Sequence, residues 1–318
     1  MININKIDFY YNSYDNKTKT HAVKWIPEGE IKGILQLSHG MLEHIERYDD
    51  FAKEMAKNNI LVTGNDHLGH GYSISSEENR GYFAEEDGNK ALIEDIHNLM
   101  LKTKKQYSDI PYFILGHSMG SFLLRQFISL YGSEINGAII MGTGHQPYPI
   151  IKSGVLITKL IALFKGWNHR SPFVDKLAIG GYNKTFEPSR TSKDWLSRDE
   201  KKVDEYIADN KINFMFTLNS YYNMFKGMLA LYNKNALINI PKNLPLYIIS
   251  GENDPVGNFG KDVLKVYEQY KKQGIKNVSY KLYDDCRHEI LNEINKEDVY
   301  RDILKWLSSY IRKWKFQF

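Results

Sequence analysis

Short apolar runs alternate with longer amphipathic ones over most of this chain. Ile7–Tyr11 and His21–Trp25 read as two antiparallel strands joined by a polar turn around Asp15-Asn16-Lys17. Gly33–Leu37, Ile60–Thr63, Pro111–Leu115 and Gly137–Met141 are short apolar runs of the kind that form buried strands. Helical spacing lies between them. Tyr48, Phe51, Met55 and Ala56 share one face, as do Leu92, Ile96 and Leu99. After Pro111–Leu115 come Phe122, Phe127, Leu130 and Tyr131, with Gly132 placed to end that helix. The alternation stops near Gln146, and up to about Leu229 the pattern predicts helices and loops without a strand. It resumes with strands over Leu246–Ser250 and Val278–Tyr283 and helices over Lys261–Lys272 and Val299–Trp314. These elements predict an α/β fold, a mostly parallel central sheet flanked by helices. Residues 1–145 and 230–318 would form the core and 146–229 a helical cap insertion.

Chemistry gathers where the predicted strands end. Gly116-His117-Ser118-Met119-Gly120 has the Gly-x-Ser-x-Gly spacing of a nucleophile elbow, a sharp strand-to-helix turn that lifts the serine hydroxyl clear of the backbone. A serine needs a base, and the base needs an acid to fix its tautomer. His288 follows the last predicted strand, and Asp254 follows the one before it. The order Ser118, Asp254, His288 is the chain order of α/β-hydrolase triads, and all three fall at carboxyl ends of strands. Glu252, Asp284 and Asp285 compete with Asp254 as the acid. Asp254 is preferred because the surrounding glycines and proline turn its loop back over the sheet edge. The backbone N–H groups of Met119 and Met41 are the expected oxyanion donors, with Gly40 allowing an unusual backbone at the second.

Taken together, five stretches resemble the monoacylglycerol lipase and lysophospholipase group of α/β-hydrolases, whose relatives include serine-aminopeptidase-like proteins. They are Ser38-His39-Gly40-Met41-Leu42-Glu43-His44 with Arg47-Tyr48, Asp66-His67-Leu68-Gly69-His70-Gly71-Tyr72-Ser73, the elbow, Ser250-Gly251-Glu252-Asn253-Asp254-Pro255-Val256-Gly257, and Arg287-His288-Glu289. The resemblance implies an α/β-hydrolase fold and a Ser118–His288–Asp254 triad with Met41 and Met119 as oxyanion donors. It also implies a cap over the serine that holds an acyl chain. It implies hydrolysis of a single-chain lipid ester without a cofactor. A small-ester esterase, a thioesterase and an aminopeptidase would use the same triad. An aminopeptidase would also need cap carboxylates for the substrate amine, and Asp199-Glu200 with Asp204-Glu205 are the candidates. Phe186–Asp199 resembles the cap of bacterial lysophospholipase-like members, but Asp209-Asn210-Lys211-Ile212-Asn213-Phe214 departs from their Asp-Pro-x-Cys-Gly-Phe segment.

Composition narrows the rest. A chain of 318 residues with 42% hydrophobic content buries a large core. A net charge of +4 is too small to point to nucleic acid, and no nucleic-acid-binding motif is present. One cysteine, Cys286, and a beginning without a signal-peptide pattern lead us to expect a cytoplasmic protein. His39, His44, His67 and His70 lack the spacing of a zinc site and read as buried hydrogen-bonding histidines; Glu43 and Asp66 read as loop-bracing groups. The surplus of charge sits in the cap, with 13 Lys and Arg against 8 Asp and Glu over 146–229. The run Val155–Phe164 is too apolar for an ordinary exposed helix and too short to span a bilayer, and Lys152, Lys159 and Lys165 punctuate it. This predicts a lipid substrate and peripheral contact with a lipid surface through the cap.

Overall fold

The computed structural model describes residues 4–315. In chain order the strands are β1 (Asn5–Asn12), β2 (Lys19–Ile26), β3 (Gly33–Ser38), β4 (Ile60–Asn65), β5 (Tyr112–His117), β6 (Gly137–Met141), β7 (Leu246–Gly251) and β8 (Val278–Tyr283). They form one eight-stranded sheet in the order β1-β2-β4-β3-β5-β6-β7-β8. The β1–β2 and β2–β4 pairings are antiparallel and the others parallel. The helices are α1 (Asp49–Lys57), α2 (Gly88–Gln106), α3 (Met119–Tyr131), α4 (Tyr148–Lys165), α5 (Pro172–Ala178), α6 (Glu200–Ala208), α7 (Leu218–Ala230), α8 (Lys234–Asn239), α9 (Lys261–Lys272) and α10 (Lys296–Lys315). Each sheet strand foreseen from the apolar runs is present. Among the described residues the chain between β6 and β7 is helix and loop.

Successive side chains of a strand point to opposite faces, so an apolar run in a covered sheet feeds two cores. Ile34, Ile114, Ile140 and Ile248 pack on one face with residues of α2, α3 and α9. Their neighbours Leu35, Leu115, Ile139 and Ile249 pack on the other with α1 and α10. Burying each such side chain contributes about 1.5–3 kcal/mol before the entropy of ordering the chain is set against it. On α10, Val299, Ile303 and Leu307 are fully buried, as their spacing predicts. One local reading is corrected. Leu130 is 59% exposed, because the buried stripe of α3 runs through Leu123, Leu124, Phe127 and Ile128. Gly132 stands at the end of α3 as expected, in a right-handed conformation that leads into a 3-10 turn over Gly132–Glu134.

The parallel arrangement sends the loops after β3, β5, β7 and β8 to one edge of the sheet, which is how residues far apart in sequence meet. At the antiparallel end, a carboxylate on α2 anchors the β1–β2 hairpin. Asp95 accepts hydrogen bonds from Ser13 Oγ (2.7 Å) and Tyr14 N (2.7 Å), and Tyr11 Oη donates to the Asp95 carbonyl (2.8 Å). Burial outweighs these bonds and pushes the Asp95 carboxyl up to about 7. A carboxyl raised on folding binds its proton more tightly in the native state. Its contribution to stability is therefore present below its unfolded value near 3.8 and is lost as pH rises towards 7. Asp95→Asn, which removes the ionisation, should gain stability relative to the native sequence as pH rises from 4 to 8. Urea midpoints for both proteins across that range test this, and a constant difference would show that Asp95 does not titrate there.

Candidate active site

The apolar run of β5 ends at His117, and α3 begins at Met119, so Ser118 alone makes the turn. Its backbone lies at φ 50° and ψ −118°, outside the regions that side chains other than glycine ordinarily favour. Ser118 N donates to Met141 O (3.0 Å) on β6, while Ser118 O accepts from Ser121 N (2.9 Å) and Ser121 Oγ (2.6 Å). Gly120 is required because the helix start is pressed against the end of β3: a Cβ there would lie 2.0 Å from Ser38 O. At Gly40 the reason is also room, and the expected unusual backbone is not found there. A Cβ at Gly40 would meet Glu43 Oε1 at 2.6 Å and the Ser118 Cβ at 3.0 Å, while the left-handed residue of this loop is Leu42 (φ 55°).

His288 and Asp254 come together from the loops after β8 and β7. The His288 Nδ1 lies 2.9 Å from both Asp254 oxygens, and both residues are buried. Asp254 also accepts from Ser250 Oγ (2.9 Å) and Val256 N (2.9 Å). Burial alone would raise its carboxyl, but the His288 charge and these hydrogen bonds outweigh burial and hold it below the usual range. The rival acids do not meet the imidazole: Glu252, Asp284 and Asp285 are exposed at the surface. Ser118, His288, Met41 and Met119 line one cavity of about 420 Å³. Met119 opens α3, so its amide is one of the first four of that helix, which have no intrahelical acceptor.

A polar network borders this cavity through Glu43, His117 and Glu289, and one carboxylate connects it. Glu43 accepts from Gly40 N, from Tyr48 Oη (2.9 Å), from Arg47 Nη1 (3.2 Å) and from His117 Nδ1 (3.0 Å). Arg47 in turn makes a two-pronged pair with Glu289, at 2.7 Å on each side. His117 Nε2 lies 3.3 Å from the His288 carbonyl. Burial would lower the His117 imidazole, but its hydrogen bond to Glu43 and the Glu43 charge bring it above the ordinary value. Burial also opposes ionisation of Glu43 and Glu289, yet His117 and Arg47 hold both well within the charged form. Sequence patterns assigned no role to Glu289, although it stands beside His288.

The other histidines are structural neighbours. Asp66 accepts from Ile45 N (2.8 Å), Tyr72 N (2.9 Å) and His21 Nδ1 (2.8 Å), tying the loop after β4 to the loop after β3 and to β2. The His39 and His67 rings lie 4.2 Å apart, and His39 Nε2 accepts from His67 N (2.9 Å). Burial pushes His67 down and His70 down to about 3, leaving both neutral. His44 Nε2 bonds Asp209 Oδ2 (2.7 Å). Among the described residues no three His, Cys, Asp or Glu side chains are disposed to hold a metal ion. Cys286 is fully buried, burial lifts its thiol to about 11, and its Sγ donates to Asn295 Oδ1 (3.2 Å).

The segment before α6 closes over the base. Glu289 N donates to Leu196 O (2.7 Å), Ser197 Oγ to Asn292 O (2.9 Å), and Arg198 Nε to Glu293 Oε2 (2.9 Å). The Trp195 ring lies 5.0 Å from that of His288. The acidic candidates for amine binding are occupied elsewhere: Asp199 caps α6, Asp204 pairs with Arg190, and Glu205 with Lys202. None of these lines the cavity.

Comparisons with known proteins show which family and fold the chain shares. A family model described as serine aminopeptidase, S33, matches residues 29–295. Monoglyceride lipase of Mus musculus is 36% identical over 297 residues, covering 90% of this chain and 86% of its own. Monoacylglycerol lipase of Mycolicibacterium smegmatis is 25% identical over 299 residues, with 90% and 92% covered. Among solved structures, a thermostable carboxyl esterase from Bacillus coagulans in complex with glycerol aligns with a TM-score of 0.90 and 27% identity, covering 97% of this chain and 100% of that one.

The buried Glu43–His117 contact leads to a measurable expectation. Glu43→Gln removes the charge that raises His117, so the His117 imidazole should titrate lower, and stability should fall by about 2 kcal/mol. Histidine NMR titration checks the first and denaturant unfolding the second. An unmoved His117 titration would mean that Glu43 does not set its charge.

Proposed function

The chain belongs to the serine aminopeptidase family of α/β-hydrolases, and from that membership we propose that it cleaves a single-chain lipid ester, of monoacylglycerol or lysophospholipid type, through a covalent acyl-enzyme. The observation that carries this reading is the cavity itself. Ser118 and the Asp254-bound His288 line it together with the apolar Ile150, Ile151, Ile157, Met224, Phe225 and Met228. Relatives named monoglyceride lipase support the substrate class.

In this mechanism His288 Nε2 takes the Ser118 proton as Oγ attacks the ester carbonyl. Asp254 holds the Nδ1–H and so fixes the tautomer in which Nε2 is free to accept. The Met41 and Met119 N–H groups receive the oxyanion. The imidazolium returns its proton to the leaving alcohol oxygen, and the acyl group stays on Ser118. Water then loses a proton to His288 as it attacks the acyl carbonyl. The Ser118–acyl bond breaks, the serine regains its proton and the fatty acid leaves. No step calls on a cofactor.

We take residues 146–229 as the cap. Among the described residues no helix is long and apolar enough to cross a membrane. α4 nevertheless presents Leu156, Leu160, Leu163 and Phe164 outwards, the last 86% exposed, beside exposed Lys152, Lys159 and Lys165. This face suits shallow insertion into a lipid aggregate with the amines at the headgroups. Ile161 turns inward and packs on the core, so it is not part of that face.

Ser118→Ala should abolish ester hydrolysis with unfolding unchanged. Asp254→Asn should lower kcat on the order of 10⁴, as in other triads whose acid is amidated. Near-native rates in Asp254→Asn would remove Asp254 from the acid role.

Replacing Leu160 and Leu163 together with serine should weaken vesicle binding and activity on aggregated monoacylglycerol while sparing a soluble short-chain ester. Each lysine near an anionic surface contributes ~1 kcal/mol, so added salt should weaken binding in part. Flotation that shows no binding of the native protein to anionic vesicles at low salt would refute the contact.

A further inference from the structure

The cavity is not uniform along its length. Its α4 and α7 side is apolar, whereas Tyr182, Lys193, Trp195 and Tyr206 gather towards His288. The Trp195 ring lies 5.0 Å from that of His288, and Tyr182 lies 5.0 Å from Trp195. Tyr206 Oη donates to Leu42 O (3.0 Å), beside Met41, and the Lys193 amine lies 5.9 Å from the Tyr206 ring centre.

Lys193 is the one lysine or arginine among the described residues lining this cavity. The two lining carboxylates are already neutralised, Glu43 by His117 and Arg47 and Glu289 by Arg47. Among the described residues no carboxylate lies within ion-pair distance of the Lys193 amine. The nearest influence of that kind is the more distant charge of Asp175, and burial outweighs it, pulling the amine below its ordinary value. The cavity therefore carries, at one end, an amine without a carboxylate partner.

Chemistry says which part of a substrate meets that end. The base must hand its proton to the leaving oxygen, so the alcohol of the ester lies on the His288 side and the acyl chain runs towards α4 and α7. We infer that Lys193 recognises a phosphate carried on the alcohol portion of a single-chain ester, and that the site prefers such a head group to neutral glycerol. A lysine serves a phosphate as a point charge, and the contact gains from the loss of water around the amine. The inference rests on the ester-hydrolase reading above and adds the head group to it.

The test compares monooleoylglycerol, monooleoylglycerol phosphate and soluble p-nitrophenyl butyrate on the full chain and on Lys193→Met and Lys193→Arg. The native protein should favour the phosphate ester in kcat/KM. Lys193→Met should lose about tenfold or more on that substrate, mainly through KM, and stay within about twofold on the other two. Lys193→Arg should recover most of the loss. An unchanged ratio of phosphate to neutral lipid in Lys193→Met overturns the inference while butyrate turnover leaves the hydrolase reading standing. Weaker inhibition by oleate in Lys193→Met, with that ratio unchanged, would assign the amine to the released fatty acid and equally overturn it. Absence of turnover on all three substrates by the native protein would bring down the hydrolase reading and this inference with it.

Discussion

The Glu43 carboxylate is the contact on which the candidate site depends. Its two oxygens hold the loop after β3 through Gly40, the turn after β5 through His117, and the loop after β8 through Arg47 and Glu289. These are the loops that carry Met41, Ser118 and His288. A buried carboxylate is tolerated only when its lone pairs are filled and its charge matched. Here four donors do so, one of them the Arg47 guanidinium. The network is therefore self-enforcing: shifting any one loop would leave a buried charge without its partner. This gives the floor of the cavity its fixed geometry, and proposed catalysis by preorganised donors needs that property.

The base is held from above as well as below. Leu196 O receives Glu289 N, and Arg198 reaches Glu293, so the strip that precedes α6 is stitched to the loop carrying His288. Trp195 then faces the imidazole, with Tyr182 against the Trp195 ring. A movement of this strip would be felt at His288 directly, whereas α4 has a different setting. Many of its large side chains face solvent, and few bury a full surface.

Much of this was legible in the sequence because the strands are buried on both faces. Such strands read as unbroken apolar runs, and the motifs follow directly where those runs end. Ser118, Asp254 and His288 could be nominated from that placement together with chain order. Placement and order left Glu252, Asp284 and Asp285 as rivals; the glycines and proline around Asp254 favoured it, and its burial, which depends on the whole fold, separates it from the three exposed carboxylates. Gly40 illustrates a subtler limit. Glycine can be needed for its backbone or for its lack of a side chain, and only the proximity of Glu43 and Ser118 shows that room is the reason. The Arg47–Glu289 pair spans 242 positions, and no local pattern announces it. Leu130 sat in an apolar spacing yet faces water, because helix α3 turns its buried stripe to the sheet and α2.

Charge is distributed in the molecule according to what can match it. Beneath the serine every buried charge has an opposite partner within the chain, and the histidines of the loop after β4 avoid the problem by staying neutral. On the surface of α4 the lysines lie in water, where an unmatched amine costs little. Lys193 fits neither arrangement. It is partly withdrawn from water, lines a cavity of substrate size, and has the π-face of Tyr206 where a carboxylate would be expected. An aromatic face offers a cation about 0.5–2 kcal/mol, less than full hydration provides, so the amine remains available to a stronger acceptor. The same fold thus pairs a floor whose electrostatics are complete with a chamber whose electrostatics are completed by what enters it.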